Sequence, residues 1–342
     1  MSTDNRALVI LAGGAGTRLW PLSTDDNPKQ FLRIFGGESL IEKTFSRLKR
    51  VTDPARIFVS TNDRYAGRVA QLLPELPTEN ILLEPSRRNT APAIAVFCAE
   101  IERRHPGATI GIFPSDHAIR EEDRFAEVIE RGLRFAEEND FLVTIGFEPT
   151  EPDTGFGYLE LGDELSPGVR EVRRFVEKPD HARAAEFLRA GNFDWNGGMF
   201  LWRAEVFRNQ LDSTAPEISR LTRSLMNEPD PAKRSDIYTA MPSISIDFAV
   251  MERASRVACV TARSVGWSDV GSWSAVARVA PRPAGADVYT GGVKELYVNR
   301  ISDRPLAVVG FERVAIIESE DGLLVLNLDD AGLLSNVVKK IP

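Results

Sequence analysis

Three glycines, an arginine and a lysine crowd the start of the chain, in Leu11-Ala-Gly-Gly-Ala-Gly-Thr-Arg-Leu-Trp-Pro-Leu-Ser23 and the nearby Pro28-Lys-Gln-Phe-Leu32. Without a Cβ, the backbone at Gly13, Gly14 and Gly16 bends freely and approaches a ligand closely, and its N–H groups can point at phosphate oxygens. Arg18 adds a planar fork of donors suited to phosphate, and Lys29 adds a compact positive charge. The chemistry that fits is the holding of a triphosphate, with Leu11, Ala12 and Thr17 in the same loop.

Two better-known phosphate loops do not match. A P-loop needs Lys-Ser or Lys-Thr at a fixed distance after its glycines, and none stands there. The dinucleotide fingerprint needs a glycine where Leu19 stands and an acidic residue about 20 residues on, after a second strand. The next strand-like run, Arg56–Thr61, ends too late for that.

Other residues offer complementary chemistry. Asp116 and Asp269 each lie in a short loop beside small residues and suit Mg²⁺, which takes one or two carboxylates and completes its shell with substrate oxygens and water. Taken singly, Ser-Asp and Asp-Val-Gly more often form turns, and sequence position does not bring the two together. Ser115 precedes Asp116 at the end of a strand-like run. Glu177 and Asn196 are planar groups suited to sugar hydroxyls, with Gly157 and Gly197 allowing close approach. Trp195 suits either stacking on a ring or the core.

The elements that must position these residues read as an α/β domain. Strand-like runs at Ala7–Ala12, Arg56–Thr61, Ile81–Glu84, Thr109–Pro114 and Phe141–Ile145 alternate with helical patterns at Leu40–Leu48, Arg64–Leu73, Ala91–Arg103 and Phe125–Glu137. Such alternation implies a parallel sheet with helices on both faces and ligands beyond the carboxyl ends of the strands. From Tyr158 to Trp273 the pattern is mixed: strands at Tyr158–Leu161 and Val172–Val176, helices at His181–Ala190 and Ala204–Leu211. Pro281-Arg-Pro-Ala-Gly285 then breaks the chain, and Leu306–Val309, Val314–Glu318 and Leu323–Leu328 form a small β-rich end. The expected division is 1–280 and 286–342.

Composition narrows the classes. The 342 residues, 43% of them apolar, supply an ordinary globular core, and a net charge of −8 gives no basic footprint for nucleic acid. No apolar run nears the roughly 20 residues of a membrane span, and the first strand begins after Arg6, so a cytoplasmic protein is expected. Cys98 and Cys259 sit in apolar contexts and read as buried thiols. The three histidines, His105, His117 and His181, have no metal-type spacing.

The opening segment resembles the signature of sugar-1-phosphate nucleotidylyltransferases, and its Trp-Pro-Leu-Ser and Pro-Lys-Gln-Phe variants resemble the mannose-1-phosphate guanylyltransferases. Further segments match in family order: Glu84-Pro-Ser-Arg-Arg-Asn-Thr-Ala-Pro-Ala-Ile94, Pro114-Ser-Asp-His-Ala-Ile119, Thr154-Gly-Phe-Gly-Tyr158, Phe175-Val-Glu-Lys-Pro179, Trp195-Asn-Gly-Gly-Met-Phe200, Ser245-Ile-Asp-Phe-Ala-Val-Met-Glu252 and Gly266-Trp-Ser-Asp-Val-Gly-Ser-Trp273. The resemblance implies a Rossmann-like, mainly parallel mixed sheet flanked by helices, with a small all-β C-terminal module used in packing or as a homodimer contact.

It also implies transfer of GMP from GTP to mannose 1-phosphate by Mg²⁺-dependent in-line displacement, giving GDP-mannose and pyrophosphate. In that scheme Arg18 and Lys29 bind the leaving phosphates, Asp116 and Asp269 hold the metal, and Lys178 grips the sugar phosphate. Glu177, Asn196 and Gly157 face the sugar, while Asn89, Thr90 and Ser115 join Leu11, Ala12, Gly13, Gly14, Gly16 and Thr17 on the nucleotide. Guanine selectivity rests on the resemblance alone. The alternatives are the same chemistry on another sugar 1-phosphate or nucleotide, or a non-catalytic homologue that binds sugar nucleotides. Against the latter stands the joint presence of Arg18, Lys29, Asp116, Lys178 and Asp269. Because the chain stops at Pro342, a further isomerase activity is not expected.

Overall fold

The structure, a computed structural model, describes residues 5–14, 17–280 and 288–341. Gly16 and the proline-rich break at Pro281–Gly285 lie outside them. The apolar run Arg6–Leu11 forms strand β1, five of whose residues are buried, as a central strand covered on both faces requires. The remaining strands of its sheet are β2 (Ile57–Thr61), β3 (Ile81–Leu83), β4 (Thr109–Pro114), β5 (Leu142–Phe147), β6 (Tyr158–Ser166), β7 (Val169–Val176), β8 (Phe193–Arg203) and β9 (Val257–Ala262). The helices are α1 (Leu40–Leu48), α2 (Asp63–Leu72), α3 (Thr90–Arg104), α4 (Glu122–Glu138), α5 (His181–Ala190), α6 (Ala204–Thr214), α7 (Pro216–Asn227), α8 (Pro231–Thr239), α9 (Trp273–Val279) and α10 (Leu334–Val338).

Nine strands lie in the order β3-β2-β1-β4-β8-β5-β9-β7-β6. β1 pairs in parallel with β2 and β4, β2 with β3, and β5 with β9. β8 runs against β4, β5 and β6, and β7 against β6 and β9, so β7 and β8 oppose the rest. The mainly parallel mixed sheet read from the sequence is therefore present. β8 lacked a strand signal because Asn196-Gly197-Gly198 interrupts it. Gly197 is required there, since a side chain at that position would collide with the Phe147 ring and come 3.1 Å from the Ile145 carbonyl. Trp195, on the same strand, is 6% exposed with its ring 4.9 Å from that of Phe156, so it belongs to the core.

The chain forms two compact units. One comprises Met1–Gly13, Phe45–Pro114 and Arg120–Val265; the other comprises Gly14–Thr44, Ser115–Ile119 and Gly266–Pro342. These units cut across the linear division into 1–280 and 286–342. The first holds the nine-stranded sheet, and its core runs through Val9, Phe58, Ile112, Trp202 and Cys259. Cys98 and Cys259 are both buried, unpaired thiols.

The second unit has its own core, in which Leu19, Leu32 and Ile34 pack with Trp273, Tyr297, Ile317 and Leu326. Trp273 Nε1 donates to the Trp20 carbonyl at 2.9 Å. The residues following the glycine loop thus share one interior with the C-terminal strands. Those strands are β10 (Val288–Gly291), β11 (Glu295–Asn299), β12 (Leu306–Val309), β13 (Arg313–Ser319) and β14 (Gly322–Asn327). β10 pairs in parallel with β12 from Val288↔Leu306, and β11 with β13 from Glu295↔Arg313. Both offsets are 18 residues (306 − 288 and 313 − 295), so each strand stacks on the one a single coil later. β14 closes the edge antiparallel to β13. Among the described residues no helix is long and apolar enough to cross a membrane.

Candidate active site

In the second unit, three segments far apart in sequence meet. Ala118 and Ser268 form an antiparallel bridge, exchanging backbone hydrogen bonds of 2.9 and 3.0 Å, which stitches the loop after β4 to the loop before α9. Lys29, in the 3-10 turn Lys29–Phe31, is 7% exposed. Its Nζ donates to Asp116 Oδ2 at 2.8 Å and to the Asp269 carbonyl oxygen at 2.5 Å. An ammonium carries three protons, so a third donor remains for a ligand. Burial pushes the Asp116 carboxyl up, but Lys29, aided by His117 and Arg18, overcomes it and holds the group below the usual range, as a carboxylate.

The Asp269 loop is tightly specified. Asp269 Oδ1 accepts from the Gly271 N–H at 3.1 Å, and a side chain at residue 271 would collide with Asp269 Oδ2. Between them Val270 sits at φ +50°, a costly conformation for a β-branched residue and the kind of strain that gathers at functional sites. Arg18 is exposed in the turn Thr17–Leu19. At Gly14 an added Cβ would meet no atom within 4 Å, which leaves the backbone open, and its carbonyl accepts from Gln30 Nε2 at 3.2 Å. Ser115 is buried, its carbonyl accepting from Thr44 Oγ1 at 3.3 Å.

Asp116 and Asp269 are the residues that could hold Mg²⁺. Lys29 and Gly271 each engage one carboxylate oxygen, of Asp116 and of Asp269 respectively, so each side chain keeps a second oxygen. Among the described residues no group of three His, Cys, Asp or Glu could hold a metal alone. One or two carboxylates completed by substrate oxygens is what this ion accepts.

The first unit holds two further groups. At the end of β1, Ala12 donates to the Ser60 carbonyl at 2.7 Å and accepts from Thr61 Oγ1 at 3.2 Å. A side chain at Gly13 would come 2.9 Å from Glu84 Oε1, so the glycine makes room for that carboxyl. Ser60 Oγ and Tyr238 OH donate to Glu84 at 2.5 and 3.4 Å. Burial outweighs both and raises the Glu84 pKa. Asn89, at φ +64°, caps α3 by accepting from the Thr90 N–H, and Thr90 Oγ1 accepts from the Ile246 N–H at 2.8 Å. The Thr90 hydroxyl therefore anchors the Ser245–Glu252 segment.

The sugar-facing candidates gather around that segment. Asn196 is 8% exposed, and its Oδ1 accepts from Thr144 Oγ1 at 2.9 Å and from the Gly198 N–H at 3.2 Å. Its Nδ2 donates to Asp247 Oδ1 at 3.0 Å. At Gly157 a Cβ would lie 2.6 Å from Glu177 Oε2 and 3.4 Å from the Asn196 Cβ, so the glycine leaves the Glu177 carboxylate its present place. Lys178 is exposed, at φ +44°, with its Nζ 2.5 Å from Glu177 Oε1. Glu252 Oε1 accepts from the Glu177 N–H at 3.0 Å and fixes the turn.

Asp247 and Glu252 flank a π-helical turn, Asp247–Met251, a distortion common at functional sites. Burial first, and the Glu177 carboxylate second, raise the Asp247 pKa to about 6. Sequence reasoning singled out neither these two nor Glu84 as site residues. The signal was present: all three stand inside segments whose order along the chain already carried the family resemblance.

Comparison with known proteins places the chain in a family. Residues 7–283 match the nucleotidyl transferase family. The xanthan biosynthesis protein XanB of Xanthomonas campestris is 38% identical over 346 residues, covering 97% of this chain and 72% of that protein. A mannose-1-phosphate guanylyltransferase of Escherichia coli is 36% identical, covering 93% of this chain and 70% of that protein. Among solved structures, a mannose-1-phosphate geranyltransferase from Thermus thermophilus superposes with a TM-score of 0.85 at 32% identity, over 98% of this chain and 99% of that one. The chain belongs to the nucleotidyl transferase family.

Proposed function

We propose that this protein transfers the GMP group of GTP to mannose 1-phosphate, with Mg²⁺, releasing pyrophosphate. The observation that carries the chemistry is the buried Lys29 ammonium bonded to both acidic loops. The choice of guanine and mannose is supported by relatives that bear the name mannose-1-phosphate guanylyltransferase. A phosphate oxygen of the sugar ester attacks the α-phosphorus of GTP in line. One P–O bond forms, the α–β bridging P–O bond breaks, and its electron pair leaves on pyrophosphate.

Both reactants are anions, so the protein's task is charge neutralisation and positioning. Bound at Asp116 and Asp269, the divalent ion would neutralise the α-phosphate. Arg18 and the third Lys29 proton bind the β- and γ-phosphates. At 4 Å and an effective dielectric near 20, one such charge pair is worth about 4 kcal/mol before desolvation. Gly13, Gly14, Gly16 and Thr17 hold the triphosphate with Leu11, Ala12 and Ser115, and Asn89 and Thr90 lie on the nucleoside side. Lys178 binds the sugar phosphate, while Glu177, Asn196 and the Gly157 backbone meet the hydroxyls. Asp247 is a positioning residue that orients the Asn196 amide. The test is pyrophosphate release from ATP, GTP, CTP and UTP against mannose, glucose and galactose 1-phosphates. Highest kcat/KM with GTP and mannose 1-phosphate is expected; another best pair would reassign the substrates, and binding without release would make the protein a sugar-nucleotide sensor.

A further inference from the structure

The Ala118–Ser268 bridge is an isolated one. Two residues on, Val270 at φ +50° leaves the extended form, so no backbone ladder continues toward the carboxylates. At the level of Asp116 and Asp269 the two loops are therefore tied by side chains. Lys29 is one tie. Its ammonium is also assigned to the leaving phosphates, and a cation that serves the substrate is a poor fixed frame for a site whose contents change during turnover.

A second tie lies beside it. In an antiparallel pair the residue before Ala118 stands opposite the one after Ser268, which places His117 across from Asp269 and Trp267 on its diagonal, within reach of an aromatic side chain. Trp267 Nε1 donates to His117 Nδ1 at 3.2 Å, and the two half-buried rings meet edge to face at 79° with 5.6 Å between centroids. An indole N–H can only donate, so His117 Nδ1 accepts and the proton of the imidazole sits on Nε2. The bond thus has one direction and one tautomer. Its ends adjoin the chemistry, since His117 directly follows Asp116 and Trp267 stands two residues before Asp269. The backbone around Trp267 is specified as well, by Gly266 at φ +64° and by Ser268 Oγ, which accepts from the Val270 N–H at 3.1 Å.

We infer that the Trp267–His117 hydrogen bond is a positioning clamp that keeps Asp116 and Asp269 at one spacing through the catalytic cycle. The inference rests on the assignment of both carboxylates to the divalent ion. Two carboxylates serve one ion and one α-phosphate only while their separation is held, and a displacement of about 1 Å in a positioned group can cost a factor of about 10² in rate. Trp267 and His117 act through the loops that carry the carboxylates, as positioning residues.

The test is a double-mutant cycle in the full-length protein. Trp267→Phe removes the donor and keeps a ring, His117→Leu removes the acceptor, and His117→Asn offers an amide oxygen close to where Nδ1 stands. Two quantities are read in each variant: kcat for pyrophosphate release from GTP and mannose 1-phosphate, and the affinity for Mn²⁺ in the presence of GDP-mannose, followed by the electron paramagnetic resonance of the free ion. Trp267→Phe and His117→Leu should each lower kcat about 10- to 100-fold and weaken Mn²⁺ about tenfold, the usual range for a partner that orients a metal site. The double variant should be no worse than either single one, because the bond is lost once, and His117→Asn should recover most of both quantities. Additive losses would show two independent roles and overturn the inference, as would normal kcat and Mn²⁺ affinity in Trp267→Phe. If His117→Leu does not fold, Trp267→Phe against His117→Asn decides: loss in the first with retention in the second supports the clamp, and the same result in both overturns it. Asp116→Asn tests the metal assignment separately. Wild-type Mn²⁺ affinity in that variant would refute the metal site, and the coupling in kcat would still decide the clamp.

Discussion

The two units solve the problem of placing charge in opposite ways. In the first, strands and helices alternate along the chain, and each polar group hangs from a nearby element: Glu177 just past β7, Asn196 within β8, Asn89 at the cap of α3. In the second, no single segment is sufficient. Lys29, Asp116 and Asp269 come from three separated loops and are joined by one ammonium and one bridge. The first arrangement is built from local order; the second exists only when distant segments fold together. A unit of the second kind should lose function from damage far from its chemistry, and the first should not.

Removing residues 281–342 tests this most severely. All the assigned site residues would remain, yet Leu19, Leu32 and Ile34 would lose Tyr297, Ile317 and Leu326 from their shared core. We expect turnover to vanish and segment 14–44 to become sensitive to protease. A truncated protein with normal kcat would mean that the glycine-loop segment does not need the C-terminal strands.

Point changes should then separate cohesion from chemistry. Asp116→Asn leaves Lys29 without its anionic partner, and kcat should fall by about 10³, as when a well-placed electrostatic group is removed, with circular dichroism unchanged. Trp273→Ala, at a fully buried ring, should cost about 3–5 kcal/mol of stability and lower turnover by loosening the second unit. If Trp273→Ala unfolds at the wild-type midpoint, the second core is not the support described here.

Lys178→Ala should act in the first unit and in another way. Its proposed partner, the sugar phosphate, is present in the ground state, so the KM for mannose 1-phosphate should rise about tenfold or more, with kcat nearly unchanged. Arg18→Ala should do the reverse, lowering kcat by about 10² to 10³ with a near-normal KM for the sugar phosphate. Steady-state kinetics in both substrates distinguishes the two, and exchanged signatures would show the roles reversed.

The same contrast explains what the sequence made legible. Strand-like and helical patterns marked Thr109–Pro114, Leu40–Leu48 and His181–Ala190 with their observed bounds, because those signals are local. β8 escaped, since Gly197-Gly198 reads as a turn unless one knows that Phe147 fills the space a side chain would need. Asp116 and Asp269 were visible as candidates, but their meeting depends on the Ala118–Ser268 bridge, which no periodicity announces. Thr90 was identified by position, while its hydroxyl proved to serve Ile246. Asp247 was not singled out in the sequence, and it is the π-turn and the Asn196 amide that give it a fixed partner.

Asp247 gives the smallest and most specific effect. Its pKa rises from 3.8 to about 6 in the folded protein, first through burial and then through the Glu177 carboxylate, with Lys178 and the Asn196 amide opposing. The folded state therefore binds this proton more tightly than the unfolded chain, and between those two values it carries more protons. Stability linked to this group is complete below pH 3.8 and is lost as pH rises through about 6. Asp247→Asn removes the titration while its side-chain oxygen can still accept from Asn196. The variant should accordingly gain on the wild type as pH climbs through that window, reaching about 1–2 kcal/mol at neutral pH once partial solvation is allowed for. Urea midpoints measured from pH 4 to pH 7.5 provide the check. Parallel curves for the two proteins would mean that Asp247 is ionised with no penalty, and that its bond to Asn196 is not held against burial and Glu177.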